Sequence, residues 1–169
     1  IGDGARRMGP FPGDIPHPEK SGLFLHLNTN KRGITLDLKS EAGKVIALSL
    51  AVEADIVVES FRPGTMDRLG LSYEALKEAS PSLVLTSISD FGQTGPYRDW
   101  QGTDMIGFAM GGMMSRGGIP EKPPLAAPGA LASDAAGITA GSATLLAYGQ
   151  RLRSGRGPPR PEGRRTGQG

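Results

Sequence analysis

Between Gly33 and Ser89 the chain alternates short apolar runs with stretches of helical spacing, and that order restricts the folds open to it. Gly33–Leu38 (GITLDL) alternates apolar and polar residues as a half-buried strand does. Ser40 then offers an N-cap, and Ala42, Val45, Ile46, Ser49 and Leu50 recur at helical spacing as far as about Glu53. Asp55–Ser60 (DIVVES) is a short apolar run suited to a buried strand. Pro63 and Gly70 bracket one short helix, and Ser72 caps another that runs to Ala79. Ser82–Ser89 (SLVLTSIS) reads as a third strand. The order strand, helix, strand, helix, strand predicts parallel strands joined by crossovers, an α/β sheet with flanking helices. Ligands of such sheets bind beyond the carboxyl ends of the strands. Those ends are Leu36–Leu38, Glu59–Phe61 and Ser89–Phe91.

The flanks are less regular. Gly and Pro interrupt residues 1–20, which read as an irregular segment, and residues 21–30 suit a short helix or strand. Phe91–Trp100 is a turn-rich loop, and Thr103–Ser115 reads as a helix whose Met105, Met110, Met113 and Met114 are packing residues. A loop with four prolines follows over Gly117–Gly129, and Asp134 stands at the start of a small-residue helix over Ser133–Leu152. The expected divisions are therefore 1–20, an ordinary globular stretch over 21–153, and a disordered Gly/Arg/Pro-rich tail over 154–169.

Charge and composition exclude several classes. Six arginines and one acid fall between Gly149 and Gly169, a balance of +5. The remainder holds thirteen basic and sixteen acidic side chains, a balance of −3, so the net charge of +2 does not describe a nucleic-acid-binding body. There is no cysteine, which rules out disulfides, thiolate metal sites and a cysteine nucleophile and suits a cytoplasmic setting. No apolar run approaches membrane-spanning length. There is no Walker-type loop and no GxGxxG after a strand, and His17 and His26 lack the acidic cluster a metal site would need.

Four stretches carry a resemblance: NTNKRGITLDLKS (28–40), VVESFRPGTMDRLGLSYEAL (57–76), SISDFGQTGPYRD (87–99) and ASDAAG (132–137). In this order and spacing they resemble family III CoA-transferases of the CaiB/BaiF type, which include formyl-CoA transferases and 2-methylacyl-CoA racemases. The resemblance runs from about residue 5 to 155. It implies a Rossmann-like large domain, a smaller second domain and an interlocked homodimer of longer chains. A first strand and a CoA-holding loop are then expected before Ile1, and the small domain with its glycine-rich loop after Leu152. SGRG (154–157) matches the family and PPRPEGRRTGQG (158–169) departs from it, so a truncated or frame-shifted fragment is expected.

The resemblance also implies roles. Asp134 matches the catalytic carboxylate, which attacks the thioester of an acyl-CoA and passes through an acyl anhydride and an aspartyl-CoA thioester on the way to a carboxylic acid acceptor. An aspartate is ionised near neutral pH and can divide one hard transfer into easier covalent steps. On the residues alone, an N-cap aspartate with no chemistry fits as well, because Asp at a helix start satisfies free N–H groups. Ser60 and Phe61 match adenine-side positions, although the family often has Asn where Ser60 stands. Arg68, with Leu69 beside it, matches an arginine near the CoA phosphates, a role its planar fork suits; a surface pairing with Asp67 is the plainer alternative. Asp104 matches an acidic position near the site. Thr103 stands where the racemases have a catalytic His, and Thr is no general base near neutral pH. Acyl transfer with coenzyme A as substrate and no metal is therefore expected. The alternatives are 2-methylacyl-CoA racemisation, or a non-catalytic fragment that binds only CoA or a partner chain.

Overall fold

A computed structural model describes residues 2–155. They form two compact units that meet in sequence at Leu36 and Asp37. The first unit is not wholly irregular, because 3-10 turns form at Gly4–Arg7 and Pro12–Asp14. Its one α-helix, α1, spans Gly22–Leu27. Ser21 organises the unit. It is fully buried, its hydroxyl lies 2.7 and 2.6 Å from the carbonyl oxygens of Ala5 and Met8, and it accepts the Phe24 N–H as the cap of α1.

The second unit is α/β. Helix α2 (Glu41–Glu53) is followed by β1 (Ile56–Glu59), α3 (Thr65–Arg68), α4 (Tyr73–Ala79), β2 (Val84–Ser87), α5 (Asp104–Met110) and α6 (Leu131–Arg153). Ser40 and Ser72 cap α2 and α4 by accepting the N–H groups of Gly43 and Ala75, the service a short hydroxyl side chain gives at that position. Strands β1 and β2 run parallel, with Ile56 opposite Val84 and Glu59 opposite Ser87.

Five expectations need correction. Met105, Met110 and Met113, read as packing residues, are exposed. Gly33–Leu38 forms no strand, and the sheet among the described residues has two strands rather than three. An alternating pattern fixes which way side chains point, but a strand also needs a neighbour to take its N–H and C=O groups. Helix α5 stops at Met110, where Gly111 and Gly112 break it, and Met113–Arg116 continues only as a 3-10 turn. On α2, Gly43 and Ala51 are the buried residues while Val45, Ile46 and Leu50 stay exposed. Helix α6 starts at Leu131, two residues earlier than its composition suggests, so Asp134 is its fourth residue and not its cap. The tail expectation from Arg156 onward lies outside the described residues.

Arg151 belongs to this architecture rather than to a solvated basic tail. Its side chain is 8 % exposed and pairs with the Asp55 carboxylate. Its Nη1 donates to the carbonyls of Asp55 and Ser82 at 3.0 and 2.9 Å. These carbonyls lie just before β1 and β2, so one guanidinium ties the end of α6 to the entry of both strands. Seven residues earlier, on the same helix face, the Thr144 hydroxyl meets that of Thr86 on β2 at 2.6 Å.

Candidate active site

The loops leaving both strands open into one cavity of about 520 Å³, at the strand ends where parallel sheets hold their ligands. Ser60, Phe61, Arg62 and Pro63 follow β1; Ile88, Ser89, Asp90 and Phe91 follow β2. The far wall comes from Arg98, Trp100 to Asp104, and Ala132, Ser133 and Ala136 at the start of α6. Glu59 fixes the first loop by accepting the Phe61 N–H at 2.7 Å. Asp90 fixes the second by accepting the Gly102 N–H at 2.8 Å.

Of the residues singled out in the sequence, Ser60, Phe61 and Asp104 line this cavity. Arg68, Leu69 and Asp134 are not among its lining residues. Asp134 sits in the first turn of α6, exposed, beside the lining residues Ala132 and Ser133. Its backbone N–H is already given to the Ala130 carbonyl at 2.8 Å, and its carboxylate has no hydrogen-bond partner among the described residues. Arg68 does not pair with Asp67: its Nη2 donates to the Thr65 hydroxyl at 2.8 Å. Among the described residues no carboxylate forms a salt bridge with it. The Arg68 and Arg98 guanidiniums converge on Gly64, where a β-carbon would lie 3.6 and 3.5 Å from their terminal nitrogens. Arg98 is itself weakly partnered, with Nε buried and the nearest carboxylate, Asp99, 3.9 Å away.

Sequence reasoning assigns no role to several contributors, Arg62, Arg98, Trp100, Gly102 and Ser133, while Asp90 and Phe91 enter it only as part of the strand end Ser89–Phe91. Most of them fall inside the quoted motifs, which was the available signal. Phe91, Tyr97 and Trp100 form one aromatic cluster, with Tyr97 and Trp100 rings 4.3 Å apart and Phe91 edge-on to both. Thr103 has a local task, since its hydroxyl accepts the Ile106 N–H at 3.3 Å as the cap of α5. His17 likewise accepts the Glu19 N–H at 3.1 Å within its loop. No cluster of metal-ligating side chains occurs among the described residues, and no helix among them is long and apolar enough to cross a membrane. The first unit has a separate cavity of about 570 Å³ lined in part by Arg6, Phe24, Lys31 and Arg32.

Guanidinium groups and aromatic rings line the cavity, features suited to an anionic ligand with a planar group, and the first-turn carboxylate of Asp134 stands beside two lining residues of α6. The profile of CoA-transferase family III matches residues 1–158. The chain is 41 % identical over 131 residues to a succinyl-CoA–D-citramalate CoA-transferase of Chloroflexus aurantiacus, covering 78 % of this chain and 33 % of that protein. It is 40 % identical over 144 residues to a formyl-CoA:oxalate CoA-transferase of Streptomyces avermitilis, covering 85 % and 35 %. The crystal structure of a CaiB/BaiF family protein from Brucella suis superposes with a TM-score of 0.79 at 35 % identity, over 91 % of this chain and 41 % of that one. The chain thus spans about a third of the length of the curated relatives it matches.

Proposed function

The chain belongs to CoA-transferase family III, and on that premise we propose that it carries the reacting carboxylate and part of the CoA site of an enzyme that moves CoA between carboxylic acids. The observation that carries this reading is the cavity beyond β1 and β2, lined by Ser60, Phe61 and Asp104 and adjoined by the first turn of α6 with Asp134. In this reading the two parallel strands are part of a Rossmann-like sheet, and residues 21–153 are a portion of the large domain.

The chemistry starts from a carboxylate that accepts no hydrogen bond from the described residues. An Asp134 oxygen attacks the thioester carbonyl of the acyl-CoA; the C–S bond breaks and CoA leaves as thiolate. The thiolate then attacks the aspartyl carbonyl of the mixed anhydride, which releases the donor acid and leaves an aspartyl-CoA thioester. The acceptor carboxylate attacks that thioester, again freeing the thiolate. A final thiolate attack on the acceptor's carbonyl forms the new acyl-CoA and restores Asp134. Each step replaces one activated acyl bond with another, so no single barrier carries the whole transfer. The first turn of a long helix favours the negative charge of the resting carboxylate.

Arg68 and Arg98 suit the phosphates of CoA, because planar guanidiniums bind phosphate through paired donors. Arg6, Lys31 and Arg32 in the first unit are a second candidate set. The relatives' names include the dicarboxylic acids succinate, citramalate and oxalate, and Arg62 in the cavity wall suits a second carboxylate. Racemisation is the weaker reading, since Thr103 caps α5 and supplies no base.

The experiment uses the full-length protein with an acyl-CoA donor and a short dicarboxylic acceptor. Transfer is expected to be abolished in Asp134→Asn while the fold is retained. Hydroxylamine added during turnover is expected to leave a hydroxamate on Asp134, seen by peptide mass spectrometry. Undiminished transfer in Asp134→Asn would overturn the assignment.

A further inference from the structure

Helix α6 lacks the cap that a helix of 23 residues would ordinarily have. Its N-cap position is Ala130, whose side chain accepts nothing, although the first N–H groups of any helix have no partner within it. A capping side chain normally serves the second or third residue of the helix, here Ala132 and Ser133. The Ser133 N–H is in fact satisfied, by Asp104. One oxygen, Oδ1, accepts both the Ser133 N–H at 2.8 Å and the Ser133 hydroxyl at 3.0 Å, across 29 residues of sequence.

The surroundings of Asp104 are arranged for that reach. A β-carbon on Gly107, one turn further along α5, would lie 3.1 Å from the Ala132 β-carbon, so the two helix starts approach to a distance that a side chain at 107 would hinder. Thr103 caps α5 immediately before Asp104. One residue earlier still, the Gly102 N–H is held by Asp90, three residues beyond β2. A line of acid-to-amide bonds therefore runs from the end of β2 through the start of α5 to the first turn of α6. Asp134 is the residue next to the one gripped.

We propose that Asp104 is the N-cap of α6 supplied from another element, and through it the positioning residue for Asp134. The role in positioning rests on Asp134 being the reacting carboxylate. It requires an oxygen acceptor at 104, not a charge and not a proton. Asparagine keeps that acceptor and alanine does not.

Four variants of the full-length enzyme separate the possibilities: Asp104→Asn, Asp104→Ala, Ser133→Ala and Asp134→Asn. Turnover and KM for acyl-CoA are measured with hydrogen exchange of the peptide covering residues 130–137. Asp104→Asn and Ser133→Ala, which retain the bond to the Ser133 N–H, are expected to leave exchange of the 130–137 peptide at the parent's rate and to lose at least about tenfold less kcat than Asp104→Ala. Asp104→Ala is expected to lose kcat by on the order of 100-fold, with KM little changed, because a small misplacement of a reacting group costs that much. In the same variant the 130–137 peptide exchanges faster, while in Asp104→Asn it does not. A loss in Asp104→Asn as large as in Asp104→Ala would overturn the proposal and make Asp104 a charged participant. Unchanged kcat and exchange in Asp104→Ala would overturn it too. Retained transfer in Asp134→Asn would defeat the function reading and with it the positioning role, whereas faster 130–137 exchange in Asp104→Ala would still report the cap.

Discussion

At Gly102 the backbone has no room for a β-carbon. One built there would lie 2.7 Å from both Cβ and Cγ of Asp90, closer than real side-chain carbons approach. The Gly102 N–H needs that proximity, since Asp90 Oδ2 accepts it at 2.8 Å. Gly102→Ala must therefore push the loop off Asp90, and overpacking of this kind costs about 1–3 kcal/mol. In a chain of this size that lowers the thermal midpoint by several degrees, at about 2–4 °C per kcal/mol. An unchanged midpoint in scanning calorimetry would show that Asp90 does not hold this loop. The sequence marks Asp90 only as part of a strand end and Gly102 as one glycine among 26. Steric demands of this sort arise from residues brought together by the fold, and a single chain does not display them. Asp134 was legible in the opposite sense. Its motif marked it, but the start of its helix was misplaced, because the cap that fixes that start comes from Asp104 and not from the residues preceding it.

Among the elements, those with local signals were readable: β1, β2, α2 and α4 each lie within the expected stretch, and the serines at 40 and 72 cap as their position suggests. Gly33–Leu38 had an equally good pattern and formed no strand, since pairing depends on a neighbour that the pattern cannot supply. Helix α6 shows a related limit. In sequence Arg151 belongs with the arginines that follow it, yet it shares a helix face with Thr144 seven residues before, and that face lies on the sheet. Replacing Arg151 by Met removes a buried guanidinium that pairs with Asp55 and donates to two carbonyls. Asp55 is half exposed and can return to water, so the cost falls mainly on the unpaired carbonyls, about 2–4 kcal/mol in all. Arg151→Lys keeps a positive charge but has no planar fork to reach three acceptors, and should fall between parent and Met. Urea denaturation ranks the three; equal midpoints for parent and Met would mean the guanidinium does not anchor α6.

At the scale of the whole molecule, the balance of buried and exposed apolar residues determines how the 169 residues behave by themselves. Among the described residues only Ala51, Leu71 and Leu76 are buried hydrophobics. Against them stand Val45, Ile46 and Leu50 on α2 at 62, 48 and 48 % exposure, and Ile138, Leu145 and Leu146 on α6 at 72, 67 and 77 %. Single exposed apolar side chains are ordinary, but these fall at helical spacing, and on α6 they lie beside a face already packed on β2. Contiguous apolar surface of this kind drives association. The isolated chain is therefore expected to bind the dye ANS and to self-associate as its concentration rises, by sedimentation velocity. Replacing Ile138 and Leu146 by Gln removes apolar area without touching Thr144 or Arg151, so it should reduce both signals while leaving the helical circular dichroism intact. A monodisperse monomer without dye binding would mean that these faces are covered in solution by packing that the described residues do not provide.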